Sequence, residues 1–176
     1  MKFHLTKLHG AYLVELEPAH DDRGFFARTF CVEEFAALGL EVNFPQHSIS
    51  SSTRKGILRG MHYQREPHGE AKLVRCTQGA ILDVIIDIRP DSATFRGWQE
   101  FELSSVNRHQ LYIPKGFAHG FQTLSDDTEV NYLISAPYKP EFAHGIRYND
   151  PAFAIGWPLS VSEISERDLH WPDFEE

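Results

Sequence analysis

Short runs in which apolar and polar residues alternate recur along the whole chain: AYLVELE, GFFARTF, QHSISSS, ILRGMHYQ, KLVRCTQG, AILDVIIDI, WQEFELS, QLYIP, GFAHGFQTL and TEVNYLIS. Alternation of period two sends successive side chains to opposite faces of an extended strand. Turn signals such as RPDS and LSDDT separate many of the runs. About ten such strands and so little helix predict an all-β fold, a two-sheet jelly roll (double-stranded β-helix) or a barrel, with a few short helices. The best helix candidate is VEEFAALG, residues 32 to 39, closed by Gly39 as C-cap, and a second short turn begins at SERD with Ser165 as N-cap. In LDVIIDI the residues Leu82, Val84, Ile86 and Ile88 share one face while Asp83, Ile85 and Asp87 share the other, so a carboxylate can face a cavity.

Composition adds bounds to that pattern. The 176 residues, 41% hydrophobic and 24% charged, suit one globular domain spanning residues 1–176, with no linker or fixed-period repeat. A formal net charge of −8 and the lack of any Lys/Arg block argue against a nucleic-acid or anionic membrane partner, so an anionic ligand needs a local cationic pocket. Cys31 and Cys76 are too few for a disulfide framework or a Cys-based zinc site, and buried free thiols in a reducing cytosol are the expectation. The first residues show no continuous apolar segment and no run approaches the length of a membrane span, which predicts a soluble, unexported, cytoplasmic protein.

Candidate chemistry concentrates in GILRGMHYQREPHGEAKLVRC, where His62, His68, Glu70 and Lys72 fall close together. Jelly-roll barrels of the cupin type often hold a metal with two His two positions apart on a strand, a Glu and a later His. Here the position two beyond His62 is Gln64, so the pair is broken and no metal is expected. His68 and Glu70 read as solvated loop residues. In IPKGFAHGF, Pro114 and Gly116 set a turn, and Phe117, His119 and Phe121 then alternate onto one face, making His119 either a core histidine or a pocket group. His62, Lys72, Asp83, Tyr132 and Asp168 are dispersed acid/base candidates. Proton abstraction beside a carbonyl needs a base, a donor or cation for the enolate oxygen, and an acid, and His, Lys and Tyr can fill those roles.

DDRGFF, ILRGMHYQ, KLVRC, LYIPKGFAHGFQTLSD, YND and ISERD occur in the order found in the dTDP-4-dehydrorhamnose 3,5-epimerase family, which the chain resembles from about Asp22 to Asp168. The resemblance implies a cupin-like jelly roll, metal-free and cofactor-free and usually a homodimer. It also implies inversion of C3 and C5 of a nucleotide-linked 4-keto-6-deoxyhexose, the substrate partner, in L-rhamnose and related deoxysugar biosynthesis. By the same resemblance His62 matches the general base, Asp168 its paired carboxylate, Lys72 the cation at the C4 oxygen and Tyr132 the opposing acid. Tyr138 matches an aromatic that stacks on the base or flanks the sugar, His119 and Asp83 match polar pocket residues, Arg23 and Arg59 the diphosphate contacts, and Phe26 and Gln46 lie near the nucleotide.

Three positions depart from the family pattern: Arg28 where Glu is frequent, Ser48 where Asn is frequent, and Ala143 where Glu is frequent. The resemblance places these around the nucleotide. Since Glu accepts and Arg only donates hydrogen bonds, Arg28 leaves CDP-, GDP- and UDP-linked sugars open, beside the simpler reading of Arg28 as a solvated strand residue. Epimerisation at C3 only is a further alternative. Two others are a metal-dependent cupin oxygenase and a sugar-nucleotide-binding cupin without catalysis; retention of His62 and Tyr132 speaks against the last.

Overall fold

In the computed structural model, which describes residues 1–175, most of the alternating runs become strands. These are β1 (Lys2–Leu5), β2 (Tyr12–Glu15), β3 (Ala19–Asp21), β4 (Gly24–Phe26), β5 (Gln46–Ser52), β6 (Leu58–Gln64), β7 (Lys72–Gln78), β8 (Ala80–Asp87), β9 (Trp98–Ser104), β10 (Gln110–Ile113), β11 (Phe117–Thr123), β12 (Thr128–Ile134) and β13 (Ala143–Gly145). Two short helices are α1 (Val32–Ala37) and α2 (Glu166–Leu169). A six-stranded sheet runs β1-β2-β10-β7-β12-β5, a five-stranded sheet runs β13-β6-β11-β8-β9, and β3-β4 form a separate hairpin. Strands adjacent in space are mostly distant in sequence, which is the jelly-roll arrangement expected from the pattern.

The inner faces of the two large sheets meet in one apolar cluster. Val74, Cys76, Leu111, Ile113 and Val130 come from the six-stranded sheet, and Ile81, Ile85, Leu103, Phe117 and Phe121 from the other. Each fully buried Ile, Leu or Phe of this kind contributes roughly 1.5–3 kcal/mol. Strand β8 is covered on both faces, because Val84 and Ile86 pack outward against Met61, Ile146 and Phe153 and against the partly buried Trp157 and Phe174 of the C-terminal segment. Its inward face carries Ile81, Asp83 and Ile85, so the carboxylate faces the interior as the alternation predicts, with Asp83 fully buried.

The outer face of the six-stranded sheet is covered by α1 and the loop after it. Phe35 is wholly buried there, with the rings of Phe30 at 4.9 Å and Phe3 at 5.1 Å. The helix ends one residue before the expected position: Leu38 is the cap, and Gly39 follows at φ +68° with its amide bonded to the Ala36 carbonyl at 2.9 Å. A left-handed residue just past the cap is where glycine is favoured. GFFARTF yields only Gly24–Phe26 as strand, while β1, β3 and β13 are short strands with little alternation to announce them.

Strands β6 and β11 approach almost backbone to backbone. Gly60 has φ +136°, and a Cβ on it would lie 2.5 Å from the Gly120 Cα. The pairing register shifts at this point, between His119 and Phe121, and the ladder continues with His62 directly opposite His119.

Candidate active site

Along β6 the outward residue Met61 packs under the C-terminal segment, so His62 and Gln64, beyond the register shift, share the inward face. Helix α2 packs on this strand and delivers Asp168 to it. Its start is fixed by Ser165, whose Oγ accepts from the Asp168 amide at 3.1 Å, the N-cap that the sequence predicts. Asp168 is 4% exposed. Its Oδ1 lies 2.6 Å from His62 Nε2 and accepts from Trp171 Nε1 at 3.2 Å, while Oδ2 accepts from the Gly60 amide at 3.2 Å. Burial alone would raise the Asp168 carboxyl, but the hydrogen bond and charge of His62, the Gly60 amide and the Trp171 indole outweigh it and hold the group below the ordinary carboxylate range.

An ionised carboxylate only accepts, so the hydrogen between His62 and Asp168 belongs to Nε2, and Nδ1 presents a lone pair. That assignment makes His62 a base with a fixed tautomer. The His62 side chain is 45% exposed and opens onto a cavity of 330 Å³ lined by Arg59, Glu163, Arg167 and Asp168 among others. Trp171 meets its ring edge-on at 6.5 Å. The Arg167 guanidinium lies over that indole at 4.8 Å and donates to the Tyr138 hydroxyl at 3.3 Å and the Ala143 carbonyl at 3.2 Å.

His119, opposite His62 on β11, is 4% exposed and its Nε2 sits 2.8 Å from Asp83 Oδ2. The other Asp83 oxygen, fully buried, has no hydrogen-bond partner among the described residues. Across the interior, the Tyr132 ring from the six-stranded sheet lies 6.2 Å from the His119 ring at 73°. Burial first, and then the negative charge of Asp83, push the Tyr132 phenol well above its ordinary value. It therefore carries its proton at neutral pH and can act as a donor.

The register carries the same wall further. Tyr132 pairs with Ser48 on β5 and Val74 on β7, and Ile134 pairs with Gln46 and Lys72. Cross-strand partners share a face, so Gln46, Ser48, Lys72 and Tyr132 all point the same way. Lys72 is buried with its Nζ 3.0 Å from Glu70 Oε1, their side chains 9% and 11% exposed. Glu70 is thus no solvated loop residue, contrary to the sequence reading: its second oxygen accepts from the buried Gln64 amide at 2.9 Å. His68 is likewise engaged, its ring 4.4 Å from that of Phe142. Gln64, where a second metal-binding His would stand, is committed to these hydrogen bonds. Among the described residues no group of three or more His, Cys, Asp or Glu is arranged to hold a metal ion.

The residues expected at the nucleotide are distributed differently. Arg59 is near Tyr132, with Nε donating to Ser52 Oγ at 3.2 Å and a terminal nitrogen to the Ser51 carbonyl at 2.9 Å. Gln46 accepts from the Tyr138 amide at 2.7 Å, and Tyr138 is itself largely exposed. Arg23 and Phe26 sit on the β3-β4 hairpin, Arg23 paired with Asp21 at 2.6 Å and Phe26 77% exposed. Arg28 is exposed and paired with Glu34 at 3.4 Å. Sequence reasoning missed Trp171, Arg167, Gln64 and Glu70. Trp171 stands three residues after Asp168 but beyond the end of α2, so helical spacing carried no signal for it.

A model of the dTDP-4-dehydrorhamnose 3,5-epimerase family matches residues 5–176. The chain is 45% identical to the dTDP-4-dehydrorhamnose 3,5-epimerase of Methanothermobacter thermautotrophicus, over 99% of this chain and 95% of that protein. It is 36% identical to the dTDP-4-dehydrorhamnose 3-epimerase of Streptomyces niveus, over 96% of this chain and 81% of that one. Its fold is similar, with a TM-score of 0.95 and 39% identity, to the crystal structure of dTDP-4-dehydrorhamnose 3,5-epimerase from Bacillus anthracis with TDP and pyrophosphate bound, covering 98% of this chain and 99% of that one.

Proposed function

We propose, for a chain that belongs to the dTDP-4-dehydrorhamnose 3,5-epimerase family, that it inverts C3 and C5 of dTDP-4-dehydro-6-deoxyglucose to give dTDP-4-dehydro-L-rhamnose. The C4 ketone acidifies the hydrogens on both neighbouring carbons, so one base and one acid can serve both centres if the sugar turns between steps. In this reading His62 Nδ1 removes the proton, the Lys72 ammonium holds the developing enolate oxygen, and Tyr132 returns a proton from the other side. The imidazolium formed on His62 is stabilised by the Asp168 carboxylate. No metal or redox cofactor enters these steps.

The observation that carries the reading is the placement of base and acid on different sheets: His62 on the five-stranded sheet, paired to Asp168, and Tyr132 on the six-stranded sheet across the interior. Arg59 and Arg167, both lining the cavity beside His62, give a net-negative chain a local place for a diphosphate. Arg23 and Phe26 would complete the nucleotide site from the hairpin. Its exposed Phe25 and Phe26 offer apolar surface to a second copy of the chain, in keeping with a homodimer.

Inversion at C3 alone is the second reading, supported by the likeness to a 3-epimerase. Arg28 and Ser48 keep the base of the nucleotide a separate question. One experiment addresses all three points: incubation in D₂O with dTDP-, CDP-, GDP- and UDP-linked 4-keto-6-deoxysugars, with deuterium at C3 and C5 followed by NMR. Label and inversion at both carbons of the dTDP sugar are expected; label at C3 only would establish the 3-epimerase, and preference for another nucleotide would correct the substrate.

A further inference from the structure

We propose that Glu70, locked by Gln64, is a positioning residue for the Lys72 ammonium, so that the strand carrying the base also fixes the place of the cation. The inference rests on the reading of Lys72 as the group that meets the enolate oxygen. A lysine has a flexible four-carbon stem and a compact charge, and its ammonium has no preferred location unless something holds it. Here Glu70 Oε1 holds it at 3.0 Å, in a setting where both side chains are nearly buried.

Glu70 belongs to the short connection between β6 and β7 and would itself be free without a second anchor. That anchor is Gln64, 5% exposed. Its Nε2 donates to Glu70 Oε2 at 2.9 Å and is also near the carbonyls of His68 at 3.1 Å and Pro137 at 3.3 Å, while its Oε1 accepts from the Lys139 amide at 2.6 Å. With an N–H facing the oxygen and only acceptors facing the nitrogen, the orientation of the amide is dictated by its neighbours. Gln64 stands two residues after His62 on β6 and shares its face. The relay Gln64, Glu70, Lys72 therefore ties the ammonium to the same rigid strand as the imidazole. An ammonium has three donors, and Glu70 engages one, leaving two for a substrate oxygen.

The test is a double-mutant cycle in the whole enzyme, with E70A, K72M and the double variant, reading kcat, KM and the rate of deuterium entry at C3. If Glu70 acts through Lys72, E70A lowers kcat and exchange by about 100-fold, the loss expected of a misplaced group, with KM and dTDP affinity little changed; the thermal midpoint falls as well, because Lys72 and Gln64 lose a buried partner. In the K72M background E70A then has no further effect. E70D, which keeps two acceptor oxygens for Lys72 Nζ and Gln64 Nε2, recovers part of the rate and decides the matter if K72M is too slow to follow. The proposal is overturned if E70A exchanges at the wild-type rate, if its effect persists in full without Lys72, or if E70D is as slow as E70A. Wild-type exchange by K72M would instead remove Lys72 from the reaction, and the positioning role with it.

Discussion

Asp168 joins three parts of the chain at one carboxylate: the imidazole of His62, the amide of Gly60 and the indole of Trp171. At the residue scale this predicts a graded series. His62→Ala should lose at least about 10²–10⁴-fold in exchange at both carbons, the contribution of a positioned base, while dTDP affinity is retained. Asp168→Asn should lose less, because an amide can still orient the ring but cannot stabilise the imidazolium; a larger loss would identify the carboxylate as the base. Stability carries the same signature. The folded-state value of Asp168 is depressed, so its stabilisation is complete above the ordinary carboxylate range and vanishes as pH falls through the lowered value. Urea unfolding should therefore show Asp168→Asn less stable than wild type at pH 7, with the gap closing as pH falls through and below the ordinary carboxylate range. At Cys76 the same effect of burial is not outweighed by partners: it pushes the thiol up to about 11 and leaves it a poor nucleophile.

At the scale of elements, the close pass of β6 over β11 decides where the two histidines meet. Gly60→Ala would force a side chain into a positive-φ backbone, costing about 1–3 kcal/mol from conformation alone, and would drive its Cβ against the Gly120 backbone. We expect a lowered thermal midpoint together with loss of activity, since the Gly60 amide also holds Asp168. Wild-type stability of that variant would show that the strands can separate there without consequence. These elements were unequally legible in the sequence. β5, β11 and the inward turn of Asp83 follow from alternation alone, and the capped turn at Ser165 from its residue types. The His62–Asp168 pair does not, because 106 positions separate its members and only the tertiary fold brings α2 onto β6. Nor does the burial of Glu70: a polar, Pro- and Gly-containing connection reads as solvated loop, and what draws it inward is a single glutamine on the neighbouring strand. The residue roles at the nucleotide came from family resemblance, with no periodicity behind them.

At the scale of the whole molecule, the proposed mechanism makes the two sheets two walls of one reaction site, and has Arg59, Arg167 and Lys72 supply local positive charge in a chain of net charge −8. Because every proposed step is a proton transfer by a side chain, activity should survive exhaustive chelation; loss on chelation with rescue by one metal would contradict that account. The opposition of His62 and Tyr132 across the interior is its central claim. Its direct test is the dTDP 4-keto sugar in D₂O with Tyr132→Phe, a change that removes a proton donor and little packing. Proton abstraction should continue, and the enolate should take its proton back from the His62 side. The account predicts deuterium at C3 or C5 with configuration retained, where wild type gives deuterium with configuration inverted. Inversion of both centres by Tyr132→Phe at the normal rate would show that the acid is another residue and contradict the two-wall mechanism.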